Sequence, residues 1–448
     1  MTPRIVASND TIVAPASGAG LAAIAVIRIS GPKTREMLEA FCGGIPQPRH
    51  ASLRDIGPPQ QEKLDRGLVL WFPGPSSFTG EDMAELHVHG SRAVLREVIE
   101  AVLSLGGTRL AEPGEFARRA FENGKLDLTE VEGLADLINA ETEAQARQAL
   151  AQAEGSLRSL YEGWRAELLQ AQALIEAGLD FADEGDVVAD VSLKADAIVA
   201  RLLAAIARRL ADRSGERLRE GLRVVIAGAP NVGKSSLLNA LAKRDVAIVS
   251  EEAGTTRDVI EVHLDLGGLP VILTDTAGLR EAEGKVEAEG IRRALARANA
   301  ADLVLWLVDA TAPQWTLTDG LEQSEHGPEQ SISVLNKIDL VEPPAEAEGV
   351  SVSAKTGAGI DDLIALLADR ARDRLSAGAG AAAITRTRHR VELEAGRAAL
   401  QRFGDRSLGP ELKAEELRIA AHHLGRLTGR IDVEEVLGAI FAEFCIGK

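Results

Sequence analysis

The chain has 448 residues, 45% of them hydrophobic and 26% charged, which exceeds one ordinary core and excludes a disordered or fibrous chain. Its 68 acidic against 50 basic residues give a formal net charge of −18, excluding a protein that coats nucleic acid through bulk electrostatics. Two cysteines far apart, Cys42 and Cys445, exclude a disulfide scaffold and point to a reducing compartment.

The first residues, MTPRIVASNDTIVA, lack a charged start followed by an apolar stretch. The longest early apolar run, 21–29, is too short to span a bilayer and contains Arg28. A cytoplasmic protein without a membrane partner is expected.

Residues 1–122 predict an α+β domain. Short β-like runs at 22–29, 67–72 and 84–88 alternate with helical patterns at 33–41 and 92–105, separated by turns such as Pro73-Gly74-Pro75 and Thr79-Gly80-Glu81-Asp82. His87 and His89 share one face of a run, but no third ligand stands near, so a packed or surface pair is expected rather than a metal site. Residues 123–218 read as helical. Thr129 and Glu132 have capping-box spacing and place a helix start there. Val131, Leu134, Leu137, Ile138, Leu157, Leu160, Tyr161, Trp164 and Leu168 follow at helical spacing.

Residues 219–376 predict a parallel α/β sheet, with strands at 223–227, 269–274, 303–308 and 332–335. Ser376-Ala-Gly-Ala-Gly-Ala-Ala-Ala marks its end. Residues 377–448 are helical again, with Leu412, Leu417, Ala420, Ala421, Leu424 and Leu427 in one stripe. The simplest arrangement packs the two helical stretches into one bundle and inserts the α/β domain into it.

Within the α/β stretch, Gly228-Ala-Pro-Asn231-Val232-Gly233-Lys234-Ser235-Ser236 matches a phosphate loop between a strand and a helix. Its glycines let backbone amides turn inward on phosphate, where the helix N-terminus adds favourable potential. Lys234 supplies charge to the β and γ phosphates and Ser235 a hydroxyl to Mg²⁺. Asp275-Thr276-Ala277-Gly278 follows an apolar strand, placing a carboxylate near the metal and a glycine amide near the γ-phosphate. A threonine of Gly254-Thr255-Thr256-Arg257-Asp258 completes the Mg²⁺ shell. Asn336-Lys337-Ile338-Asp339 ends a strand, and its Asp339 accepts two hydrogen bonds that guanine offers and adenine does not. Ser353-Ala354-Lys355 places an amide at the guanine carbonyl. GTP is therefore the expected ligand. Where many small GTPases have a water-orienting glutamine, this chain has Leu279. An acidic loop from Arg280 to Glu287 could position the water instead, or remain a solvated loop.

At this point the whole chain resembles the bacterial tRNA-modification GTPases called MnmE or TrmE. The resemblance rests on Asp10-Thr-Ile-Val-Ala, Leu70-Trp-Phe-Pro-Gly-Pro with Phe78-Thr-Gly-Glu-Asp, and Pro113-Gly-Glu-Phe with Lys125-Leu-Asp-Leu. It continues through Gly254-Thr-Thr-Arg-Asp and Asp275-Thr-Ala-Gly-Leu-Arg-Glu to the terminal Cys445-Ile-Gly-Lys448. It implies an N-terminal folate-binding and dimerising domain, a helical domain and an inserted G domain. It further implies work with the FAD-dependent partner MnmG, in a heterotetramer, adding an aminomethyl-type group to C5 of the wobble uridine of tRNA with a one-carbon unit from 5-formyl- or methylene-tetrahydrofolate. By the same resemblance Asn231 ligates K⁺ together with the loop Ser250-Glu251-Glu252-Ala253-Gly254-Thr255, Ser250, Glu252 and Thr255 among its ligands. Thr256 takes the Mg²⁺ position, Glu287 is the catalytic glutamate, and Arg28, Glu85, Lys125 and Lys448 bind folate. The Arg-rich run from Thr385 to Arg390 is either a solvated helix start or a contact for tRNA phosphate. Two other functions stand beside this one: a ribosome-assembly switch, against which the acidic balance speaks, and a folate-dependent transferase that uses GTP only for regulation.

Overall fold

The computed structural model describes residues 10–18, 20–58, 62–180, 185–248, 261–275, 301–311, 330–342, 349–375, 382–431, 434–442, 444 and 447. The expectations for residues 250–256 and 276–279, Glu287, Cys445 and Lys448 lie outside them.

In the N-terminal part, strands β1 (Thr11–Pro15) and β2 (Ile24–Ser30) precede helix α1 (Thr34–Phe41). Strands β3 (Ser52–Ile56), β4 (Asp65–Phe72) and β5 (Met83–His89) then lead to α2 (Arg92–Leu103), β6 (Thr108–Leu110) and α3 (Glu115–Glu122). The sheet order is β3-β4-β5-β2-β1-β6, antiparallel except for the parallel β1–β6 pair. Residues alternate along the strands, so Ile27, Ile29, Val69, Trp71, Leu86 and Val88 form one apolar core with residues such as Met37 and Leu38 of α1 and Val98 and Val102 of α2. The opposite face carries Leu53, Leu68, His87 and Val26 in one cross-strand row, with Leu53 57% and Leu68 39% exposed.

Helices α4 (Leu128–Ile138), α5 (Glu143–Ala153), α6 (Ser156–Asp180), α7 (Gly185–Ala211) and α8 (Ser214–Glu220) follow. The start of α4 differs from expectation: its capping box is Asp127 with Glu130, not Thr129 with Glu132. Asp127 Oδ1 accepts the Glu130 amide at 2.9 Å, and Glu130 Oε2 accepts the Asp127 amide at 2.6 Å. Thr129 is inside the helix and donates to Asp127 Oδ1. An aspartate makes the same reciprocal pair as a threonine, here two residues nearer the preceding turn.

The α/β part comprises β7 (Leu222–Ala227), α9 (Lys234–Ala242), β8 (Glu261–Asp265), β9 (Pro270–Asp275), β10 (Leu303–Asp309), β11 (Ser331–Asn336), β12 (Val350–Ser351) and α10 (Ile360–Leu375). Its sheet order is β12-β11-β10-β7-β9-β8, parallel apart from the antiparallel edge strand β8. Strands such as β7 and β10 read as nearly continuous apolar runs because both faces of a parallel sheet are covered. Helices α11 (Thr387–Phe403), α12 (Pro410–Leu427) and α13 (Glu434–Ala442) end the chain.

The chain divides into two compact units, Met1–Ala135 with Gln152–Ser192 and Arg406–Lys448, and Asp136–Ala151 with Leu193–Asp405. In the first, α6 buries Tyr161, Trp164 and Leu168 and packs along α12, which buries Leu417, Ala420, Leu424 and Leu427. Leu412 is not part of that stripe, being 56% exposed. In the second unit, α8 packs against α10, and α11 is tied to it by Arg390 on Glu216 at 2.7 Å. Helices before and after the α/β sheet therefore pair within each unit, as an inserted domain requires. The fold is multidomain: an α+β sheet, helices, and an inserted α/β P-loop domain.

Candidate functional site

Strand β7 is central in the second sheet, and strand order changes direction beside it, so the crevice outside the carboxyl ends of β7 and β10 is where such sheets hold ligands. The loop from Gly228 to Gly233 occupies that position and α9 opens at Lys234. Gly233 has φ +102, and a Cβ there would lie 2.4 Å from Asn336 Nδ2, so only glycine lets the loop approach the end of β11. Asn336 ties both sides together: its Nδ2 donates to Val232 O at 2.8 Å and its Oδ1 accepts the Ala354 amide at 3.0 Å. Lys234 Nζ lies at the loop mouth, 3.0 and 2.9 Å from Gly228 O and Ala229 O.

Ser235 Oγ donates to Asp275 Oδ2 at 2.5 Å. Two hard oxygen ligands thus meet beside the lysine, a donor set that suits a small dication such as Mg²⁺. Asn231 stands exposed at the rim of the loop with φ +64, a left-handed conformation uncommon outside glycine, in which asparagine is enriched. At the far side, Asp339 Oδ1 accepts from Ser353 Oγ at 2.7 Å, and Ser353 Oγ accepts the Thr356 amide at 3.2 Å. Lys355 is exposed. The structure therefore brings together Asn231, Val232, Lys234, Ser235, Asp275, Asn336, Lys337, Asp339, Ser353 and Ala354 at one sheet end.

Asp309, at the end of β10, belongs to this group, although sequence reasoning missed it. Its Oδ2 lies 2.5 Å from Lys337 Nζ. Burial alone would raise this carboxyl, but hydrogen bonds from Lys337 and Thr311 outweigh burial and hold it below the usual carboxylate range. A lone aspartate at a strand end has no spacing signature; only its place before Thr311 hints at a turn.

In the first unit, Arg28 of β2 pairs with Glu85 of β5 at 3.0 Å, directly across the strands. Its guanidinium lies 5.7 Å from the Phe78 ring and 5.8 Å from the Phe116 ring. The 73–82 loop links this pair to Lys125, whose Nζ donates to Pro75 O at 3.0 Å. The chain end reaches the same place: Arg28 Nη1 donates to Gly447 O at 3.5 Å. Gly447, at φ +100, lies so close to Pro15 O that a Cβ would come within 2.0 Å. Gly447 thus docks on the N-terminal domain of its own chain.

His87 and His89 hold carboxylates, His87 Nε2 on Glu85 at 3.3 Å and His89 Nδ1 on Asp65 at 2.7 Å. Among the described residues no group of three or more His, Cys, Asp and Glu side chains could hold a metal. Of the Arg-rich run, Arg386 pairs with Asp136 at 2.8 Å and Arg390 with Glu216. Both are turned inward rather than toward solvent.

Residues 11–125 match the pattern of the GTP-binding protein TrmE N-terminus, and residues 128–445 that of the MnmE helical domain. The chain belongs to the MnmE family of tRNA-modification GTPases. It is 52% identical to the tRNA modification GTPase MnmE of Beijerinckia indica over 99% of this chain and 97% of that one. To the MnmE of Rhizobium johnstonii it is 51% identical, over 98% and 99%. Among solved structures it is similar to Aquifex aeolicus Era bound to GDP·AlF4⁻, with 30% identity over 33% of this chain and 56% of that one and a TM-score of 0.26. It is also similar to the G domain of the T. maritima FeoB iron transporter, with 24% identity over 36% and 99% and a TM-score of 0.25. As a family member, the chain is a GTP-hydrolysing enzyme of tRNA modification. No helix among the described residues is long and apolar enough to cross a membrane.

Proposed function

We propose that this MnmE-family GTPase turns over GTP as one component of a cytoplasmic complex that modifies C5 of the wobble uridine of tRNA, together with an FAD-dependent subunit of the MnmG type. The observation that carries the reading is the presence in one chain of two separate built sites: the Lys234–Ser235–Asp275 cluster with its guanine-reading strand, and the Arg28–Glu85 pair flanked by aromatic rings and the chain end.

In the first site Lys234 neutralises phosphate charge and Asp339 reads guanine, with the Ala354 amide at its carbonyl. Ser235 and Thr256 would hold Mg²⁺ together with Asp275, and the Gly278 amide would meet the γ-phosphate. Asn231, Ser250, Glu252 and Thr255 would hold K⁺, which would supply positive charge beside the bridge between the β and γ phosphates. Glu287 orients the water in place of the glutamine that Leu279 replaces. In the second site Arg28, Glu85, Lys125 and Lys448 hold a formyl- or methylene-tetrahydrofolate, which supplies the one-carbon unit. A guanidinium beside aromatic rings suits a flat heterocycle and the glutamate carboxylates of a folate. The domain ranges that go with this reading are 1–122, 123–218, 219–376 and 377–448. A homodimer fits the uncovered face of the N-terminal sheet, where Leu53 and Leu68 lie open to solvent.

Mass spectrometry of tRNA wobble nucleosides tests the reading in cells lacking this protein. The C5-modified uridines should disappear and return with the wild-type gene, but not with Lys234→Ala. Unchanged nucleosides in the deletion strain would reject it.

A further inference from the structure

The parallel register sets Asp309 beside Asn336, and the Ala310 amide donates to Asn336 O at 2.9 Å. Lys337, the next residue, has φ +69, which turns its stem back across the strand ends. Its ammonium donates to Asp309 Oδ2 at 2.5 Å and to Asn231 O at 2.9 Å. The other Asp309 oxygen is fixed as well, since Oδ1 accepts the Thr311 amide at 2.9 Å and its hydroxyl at 2.7 Å. A carboxylate clamped by Thr311 thus clamps a lysine, and that lysine clamps the backbone of the phosphate loop at Asn231.

We propose that Asp309 is a positioning residue of the nucleotide site, which fixes Lys337 between the base-reading strand and the Asn231 carbonyl. The proposal rests on the reading that Lys337 and Asn231 serve GTP and K⁺. A lysine stem is a flexible four-carbon chain, and ordering it when nucleotide arrives would subtract from affinity. Held in advance by Asp309, it presents its apolar stem to the base while its charge is already satisfied. Asn231 keeps an uncommon backbone conformation, and the Lys337 contact secures it. Asp309 ends β10, with β7 between it and β9, whose last residue is Asp275, and its side chain binds Lys337 and Thr311. Its loss therefore weakens nucleotide retention and the K⁺ response without removing a group that acts on the γ-phosphate.

The test uses the full chain and a fluorescent GDP. Asp309→Ala is expected to speed GDP dissociation and raise the KM for GTP by about tenfold, the effect of losing a hydrogen bond to a charged group, while kcat falls by less than about threefold. Asp309→Asn keeps one acceptor oxygen, enough for Thr311 or Lys337 but not for both, so it should recover only part of the loss. In a double-mutant cycle, Lys337→Met should add little to Asp309→Ala, since both remove one clamp. The K⁺ concentration for half-maximal hydrolysis should rise in Asp309→Ala. Unchanged GDP dissociation in Asp309→Ala, or fully additive losses in the cycle, would overturn the proposal while leaving the nucleotide site standing. A wild-type chain that bound no GDP would overturn both. A wild type indifferent to K⁺ would remove only the K⁺ ligand assignment, with the dissociation rate and the cycle still deciding on Asp309.

Discussion

Asp339 is exposed at the rim of the second sheet and held by a single side-chain hydrogen bond from Ser353. The arrangement leaves carboxylate lone pairs for two donors on a purine edge. Guanine supplies them; adenine would leave the carboxylate facing an acceptor. Asp339→Asn exchanges one acceptor for a donor, so affinity for GTP should fall by about a hundredfold and xanthosine triphosphate should become the better ligand. Competition binding against a fluorescent GDP measures this; an unchanged preference for guanine would remove Asp339 from base reading. The motif residues were legible because chemistry fixes both type and spacing. Asp309 was not, because its partner Lys337 lies 28 residues away in sequence and only the parallel register of β10 and β11 brings them together. The inward turn of Arg386 and Arg390 was equally hidden, since an Arg-rich run looks the same whether it meets water or buried carboxylates.

At the scale of elements, the main strands and helices fall where apolar periodicity puts them. Short strands β1, β3, β6, β8 and β12 escaped notice because two to five residues carry too little alternation to stand out. The start of α4 shows what local pattern alone misses. Asp127 caps the helix through Oδ1, while Oδ2 is buried without a hydrogen-bond partner, and burial pushes this carboxyl up from 3.8 to about 6. A folded-state value above the unfolded one means that the folded protein binds the proton more tightly. Ionisation of Asp127 therefore costs no stability below about pH 4, costs progressively more between about pH 4 and 6, and costs a constant amount above that. Asp127→Asn keeps a capping oxygen and removes the charge, since asparagine caps as well as aspartate. Thermal unfolding should show the variant stabilised at pH 8 by up to about 3 kcal/mol, about 1.4 kcal/mol for each of two pH units, and little different from the wild type at pH 4. Equal differences at both pH values would contradict this account of the helix start.

Across the whole molecule, the chain leaves each compact unit and returns to it, so helices from both sides of the inserted sheet complete each core. The C-terminal end closes back on β1 and on Arg28, where the folate reading centres. One polypeptide thus carries the P-loop site and the Arg28–Glu85 cluster, proposed above as the one-carbon site, on separate sheets. The two-sheet organisation was legible in the sequence through the resemblance of the whole chain and through composition shifts between its parts. The measurement that bears most directly on the proposed function is mass spectrometry of wobble uridine after incubating tRNA with this protein, the proposed flavin-dependent subunit, folate, Mg²⁺ and K⁺, with either GTP or a non-hydrolysable analogue. Modification with GTP and little or none with the analogue is the predicted result; equal modification with both would contradict it.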